Sequence, residues 1–368
     1  MAAGGQRTGP KTTAEMIRER RCAVEKSDPI RIAVVGLGRS GYSIHVARLR
    51  NDARFRIVAV TDWLEERRNE VAGELGCEAY PDHQALLRSA EAEVAVAASY
   101  SNTHAPISRD VLNSGRHAIC EKPIADSLAA ARSMLEAAKR NRRKLLVHHN
   151  YRFAPDVRHI LDVIRTKRIG EVFEVRMRSF DFSRRNDWQT LRKYHGGVFN
   201  NTCSHFIDAG LQFLGAPVKE VFCDLKHISD AGDAEDHVKV VLKAENGRVY
   251  DMEVSSACKF GEPKWTVLGT QGTLVSDGRT SRIAWFDPKQ LGKLKVVETP
   301  PPERKYGNDD VIPWQSEEVP SVGPSIGDFY DNVWAVLREG KALIVKPEEA
   351  LEVVRITQIA KRKSGFPG

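Results

Sequence analysis

Six cysteines are scattered over 368 residues, and no two stand in a C-x-x-C pair. That spacing indicates neither a thiolate zinc site nor a disulfide framework. A reducing, cytoplasmic setting is the expectation. No apolar run approaches the roughly 20 residues a membrane helix needs. The N-terminus has no apolar stretch of the kind a secretory signal uses. There is no internal repeat and no low-complexity segment. Basic residues exceed acidic ones, 56 against 49, for a formal net charge of +7. The excess is dispersed, with short runs at 18–21 (RERR) and 139–143 (KRNRR). Such runs read as solvated helix faces; the balance mildly favours anionic ligands and gives no nucleic-acid footprint.

What the chain does have is alternation. Residues 1–29 are polar and charge-rich, an extension with one short helix expected near 12–24. Over 30–150, apolar runs at 30–36, 55–62, 92–99, 117–120 and 144–150 read as strands, and helical patterns fill 41–50, 65–76, 82–90, 104–115 and 127–141. This order predicts a doubly wound parallel sheet covered on both faces. From 151 to 368 the strands lengthen and alternate, at 170–182, 237–245 and 248–256, with a hairpin over 264–277 turning at Gln271–Gly272. That is a largely antiparallel sheet, the mark of an α+β second domain. Helices at 154–168, 198–214, 324–338 and 347–363 are expected to cover one side of it.

The first strand runs into Gly36-Leu37-Gly38-Arg39-Ser40-Gly41, a G-x-G-x-x-G that opens a helix. Glycines at these places permit a tight turn and a close backbone approach to a pyrophosphate on the positive helix end. Asp62 ends the second strand, where an acidic side chain would accept hydrogen bonds from an adenosine ribose. A carboxylate there repels a 2′-phosphate, so NAD is expected rather than NADP; Arg67 and Arg68 follow on what reads as an exposed helix face. After the third strand, SYSNTH (99–104) brings Ser99, Asn102 and His104 toward the nicotinamide half. The fourth strand closes on Glu121, Lys122 and Pro123. Ligands of open parallel sheets bind beyond the strands' carboxyl ends, so Lys122 points into the crevice, and desolvation there suits it to acid–base work.

In "GGVFNNTCSHFID" (196–208), Asn201 and His205 are one helical turn apart and share a face. Taken with GLGRSG, Asp62, the Glu121-Lys122-Pro123 tripeptide, NYRF (150–153) and WTVLGTQGTL (265–274), this stretch completes an ordered motif set. The set resembles the Gfo/Idh/MocA oxidoreductase family. The resemblance implies a Rossmann domain over 30–150, then a substrate and oligomerisation domain over 151–368 with a large, mostly antiparallel open sheet. It implies NAD(P)-dependent oxidation or reduction of a sugar, cyclitol or related polyol. It implies that Lys122 and His205 handle the proton and that Arg152 lies on the substrate side.

In this stretch the chain departs from the family's pattern at three positions: His195 for the first glycine, Asn201 for an aspartate and Cys203 for a later glycine. Asn201 does not titrate, although its amide can orient a hydroxyl. Without a carboxylate beside it, Lys122 should be less basic than in an aspartate-bearing relative. The loop 182–197 (FSRRNDWQTLRKYHGG) offers Trp188 for stacking on a sugar face, with Arg185, Asp187 and Lys193 for hydroxyl or carboxylate groups. His148 and His149 lack a third ligand at metal spacing and read as pocket wall, so no metal is expected. Two further readings stay open: transient oxidation by tightly bound NAD with no net redox, and a non-catalytic sensor. The uncovered sheet face predicts a homodimer or homotetramer.

Overall fold

A computed structural model describes residues 28–300, 304 and 310–367. The helix expected near 12–24 lies outside the described residues. The first sheet is built from short aliphatic strands. β1 (Ile30–Val35) leads through the glycine loop into α1, six residues of π-helix, Gly41–Val46, running into the turn Ala47–Leu49. There follow β2 (Phe55–Thr61), α2 (Glu65–Leu75), β3 (Glu78–Tyr80), α3 (His83–Ser89) and β4 (Val94–Ala97). Then come α4 (His104–Asn113), β5 (His117–Cys120), α5 (Leu128–Arg140) and β6 (Leu145–Val147). The order is β3-β2-β1-β4-β5-β6, parallel throughout. Strand order reverses between β1 and β4, which opens a crevice at their carboxyl ends. Aliphatic cores lie on both faces of this sheet.

α6 (Pro155–Thr166) leads into β7 (Val172–Phe180), and the expected helix at 198–214 divides at Thr202 into α7 (Val198–Asn201) and α8 (Cys203–Leu214). The second sheet continues with β8 (Val218–Lys226), β9 (His237–Ala244), β10 (Val249–Ser255), β11 (Trp265–Gly269), β12 (Gly272–Ser276), β13 (Thr280–Trp285) and β14 (Gln315–Pro320). Its order is β14-β13-β12-β11-β7-β10-β9-β8, antiparallel except for the β7–β10 pair. The β11–β12 turn is Thr270–Gln271, one residue before the expected place, because Gly269 pairs with Gly272. The core residues from α6, α8 and the C-terminal helix pack on one face. On the other, ion pairs join Arg178 to Asp251 (2.7 Å) and Lys239 to Glu253 (3.0 Å).

The helix expected at 324–338 does not cover this sheet. As α9 (Phe329–Arg338) it returns to the first one, burying Phe329, Tyr330 and Val333 against Ile30, Leu49 and Phe55. Arg48 and Arg54 hold its first turn through Asp328 and Asp331, each at 2.6 Å. α10 (Pro347–Ser364) joins the halves: Ala350 and Val354 enter the first core, Val353, Ile356 and Ala360 the second. No helix among the described residues is long and apolar enough to cross a membrane.

Candidate active site

The three glycines of the loop do different work. A Cβ on Gly41 would stand 1.8 Å from the carbonyl oxygen of Gly36, and one on Gly36, at φ +90°, would stand 2.7 Å from Ala98 O. Those two let loop, helix and β4 pack together. A Cβ on Gly38 would meet nothing within 4 Å. Gly38 therefore keeps open the space beside the first helical turn, as a bound pyrophosphate would require. Leu37 is buried, and its N–H donates to Asp62 Oδ2 at 2.7 Å. Asp62 Oδ1 accepts the N–H of Leu64 at 3.0 Å, and Arg67 stands 3.7 Å from Oδ2. The carboxylate thus fixes the loop from beneath while facing the cleft.

That cleft encloses about 600 Å³. Its dinucleotide side takes Gly36, Gly38, Arg39, Ser40 and Asp62, then Ser99, His104, Glu121 and Lys122. Its far end is closed by Asp187, Trp188 and Asn201 from the second half of the chain, with Arg185, Gln189 and Tyr100. Tyr100 stacks on Tyr194 at 4.7 Å and meets Trp188 edge-on at 4.9 Å, so an aromatic trio docks the 182–197 loop onto the Rossmann half. Arg185 pairs with Asp187 at 2.7 Å, leaving this wall near neutral.

Lys122 Nζ donates to the backbone carbonyl of Asn201 at 2.8 Å. Burial pushes its ammonium pKa below the usual lysine value; Glu121 opposes that and Arg39 adds to it. The Asn201 amide donates to Gln189 O at 3.4 Å and lines the cleft. His205 is not among the lining side chains. It stacks on Tyr151 at 4.4 Å, and its buried Nδ1 has no partner among the described residues. Burial, with Lys122 and His149 adding, holds its imidazole neutral, far below the ordinary histidine range. His195, in the place of a glycine, takes a left-handed backbone at φ +58°, which explains why glycine suits that position.

Two expectations are corrected by geometry. Arg152 does not reach the cleft: it is buried, its fork closed on Asp208 at 2.6 and 2.7 Å, and Glu349 takes its remaining edge at 2.6 Å. Asn102 is exposed and donates to Lys193 O at 3.2 Å, serving the loop contact rather than the cleft wall. His104 lines the cleft and staples two of its loops, its Nδ1 2.8 Å from Pro123 O and its Nε2 3.1 Å from Ser99 O.

The fold also supplies partners for His148 that its neighbours in sequence do not. Glu121 Oε1 accepts from His148 Nδ1 at 2.8 Å and from His45 Nε2 at 3.0 Å, and Tyr330 from α9 is 2.7 Å from His45 Nδ1. Three potential ligand atoms thus lie close together in a fully buried place. A tetrahedral zinc ion with bonds of about 2.1 Å would set its ligand atoms about 3.4 Å apart. The contacts to Glu121, at 2.8 and 3.0 Å, are shorter than that spacing and lie at hydrogen-bond distance. Sequence reasoning missed His45 and Tyr330. The signal for His45 was its place one turn after Gly41, on the buried side of α1; Tyr330 had none.

Residues 30–149 match the "Oxidoreductase family, NAD-binding Rossmann fold", and residues 157–275 match the "GFO/IDH/MocA C-terminal domain". The chain belongs to the Gfo/Idh/MocA family. An inositol 2-dehydrogenase of Rhizobium meliloti is 30% identical over 257 residues, covering 68% of this chain and 76% of that one. A myo-inositol 2-dehydrogenase of Thermotoga maritima is 28% identical over 255 residues, covering 67% of this chain and 75% of that one. In fold, an NAD-binding protein from Listeria innocua superposes with a TM-score of 0.78 at 24% identity, over 91% of this chain and 94% of that one. This member of the family is an NAD-binding oxidoreductase.

Proposed function

We propose that this Gfo/Idh/MocA protein interconverts a hydroxyl and a carbonyl of a sugar, cyclitol or related polyol, with NAD rather than NADP as its partner. The observation that carries the reading is the desolvated Lys122, which shares one cleft with the Gly38 loop and with the neutral wall of Trp188, Gln189 and Asn201. The inositol 2-dehydrogenase relatives support a polyol substrate. Asp62, at the adenosine end, supports NAD, since a 2′-phosphate would meet its carboxylate.

Nicotinamide supplies the hydride chemistry when bound. The chain's own groups do the rest. In oxidation, unprotonated Lys122 Nζ takes the substrate hydroxyl proton; in reduction, it returns one. The Asn201 amide orients a neighbouring hydroxyl, and the Trp188 ring covers the C–H face of the substrate.

The test is a screen of polyols and sugars for NADH formation, beside an assay for dinucleotide carried through purification. Turnover with free NADH supports the proposal. Dinucleotide retained at one per chain, with no NADH released, would replace it with transient oxidation. We also propose a homodimer or homotetramer packed through the ion-paired face of the second sheet. A monomer in light scattering at micromolar protein would contradict that assembly.

A further inference from the structure

We propose that His45, His148 and Tyr330 are positioning residues for Lys122: they hold Glu121 as a permanent carboxylate at the base of the lysine side chain. The proposal rests on the reading of Lys122 as the proton-transfer group, and it gives α9 a part in the site.

The geometry is that of an anion cage. One oxygen of Glu121 accepts two imidazole N–H groups, at 2.8 and 3.0 Å, and the other accepts the backbone N–H of Lys122 at 3.1 Å. With both imidazoles presenting N–H, three donors face a single carboxyl group, and an added proton on Glu121 finds no acceptor. Tyr330 sets the direction of the chain. The phenol, kept protonated by burial, lies 2.7 Å from His45 Nδ1; with its O–H donating there, the His45 proton sits on Nε2, the tautomer a Glu121 carboxylate requires. Burial also keeps His45 neutral, so it carries one N–H to give. Burial acts to raise the Glu121 carboxyl, but the two imidazoles outweigh it and hold the group well below the carboxylate range. Glu121 then stands as a fixed negative charge that raises the Lys122 pKa against its own desolvation. The other titratable groups within electrostatic reach of Lys122, namely Arg39, His104, His149 and His205, stay unchanged in the variants below.

Two substrate-free measurements test this. Competitive acetylation of the whole protein, read by mass spectrometry of the Lys122 peptide, gives the lysine's pKa. In Glu121→Gln that pKa should fall by about 1–3, the effect of losing a nearby opposite charge. Carboxyl-¹³C glutamate NMR, with Glu121→Gln for assignment, reads Glu121 itself. The wild-type signal should stay constant from about pH 8 to about pH 5, above the usual carboxylate range. His148→Leu, which removes a donor, should bring titration into that window. Tyr330→Phe, which removes a single oxygen and keeps the ring, should move Glu121 the same way by less, and it serves if His148→Leu does not fold. A Lys122 pKa unmoved by Glu121→Gln, a Glu121 that titrates in this window in the wild type, or a Glu121 indifferent to Tyr330→Phe would overturn the proposal. So would stoichiometric zinc in protein purified without chelator. Neither readout needs turnover, so failure of the polyol screen leaves this test intact, and failure here leaves the screen's result standing.

Discussion

Lys122 and Asn201 are joined across the two halves of the molecule by one hydrogen bond, from the lysine ammonium to the asparagine's backbone carbonyl over 2.8 Å. The acceptor is main chain, so the bond survives any substitution at 201 that keeps α7 in place. The side chain at 201 is therefore free to be changed as an electrostatic probe of the lysine.

Asn201→Asp places a carboxylate beside Lys122, where the family's pattern has one. An opposite charge at close range raises a lysine's pKa by roughly 1–3. Oxidation needs the unprotonated amine, so the rise of rate with pH should move to higher pH. Reduction needs the ammonium, so its alkaline fall should move the same way. His205 contributes neither limb, because burial keeps it neutral. A variant that changes KM with an unmoved pH profile would reduce residue 201 to a binding role.

Arg152 is expected to matter for folding and not for substrate. Arg152→Ala leaves Asp208 buried without its bidentate partner, which should cost roughly 3–5 kcal/mol in denaturant unfolding. A variant of unchanged stability but raised KM would return Arg152 to the substrate side.

The glycine loop offers a contrast within six residues. Gly38→Val should fold normally and lose dinucleotide affinity, because its side chain enters open space where the pyrophosphate approaches. Gly41→Ala should fail to fold well, since its Cβ meets the Gly36 carbonyl. Melting curves and dinucleotide titration separate the two; equal melting loss in both would argue against the division of roles.

Asp62→Ala should weaken NAD binding by about 10–100-fold, the worth of a hydrogen bond to a charged group, and narrow the gap to NADP. Calorimetric titration with both dinucleotides checks it. Wild-type preference for NADP would contradict the ribose assignment.

The Rossmann half was legible because its signals are local. Aliphatic strands such as Val94–Ala97 are buried on both faces, and the glycine loop announces its own turn. Four strands escaped notice: β3 and β14 are short or polar edge strands, Glu78–Tyr80 and Gln315–Pro320, with no apolar face to mark them. In β8 a register shift between Val218 and Glu220 breaks the alternation, and β13 buries the polar Ser281 beside Ile283. In the site, Lys122 and Asn201 could be read from strand-end position and helical spacing. Arg152 misled because a basic residue after a strand looks the same whether it meets substrate or a buried carboxylate. Asp208 and Glu349, which decide the matter, lie 56 and 197 residues away. Tyr330 reaches His45 across 285 residues, on a helix whose apolar face fits either sheet by pattern alone.

The central claim is that Lys122 moves the proton in an NAD-linked polyol reaction. The most direct test is the turnover of Lys122→Ala on whichever polyol the screen identifies, followed by NADH absorbance, with NAD affinity measured alongside. The account predicts a fall of roughly 10²–10⁴ in kcat, the usual size of a general acid–base contribution, with NAD binding retained. An enzyme that turns over normally without the Lys122 amine would contradict it.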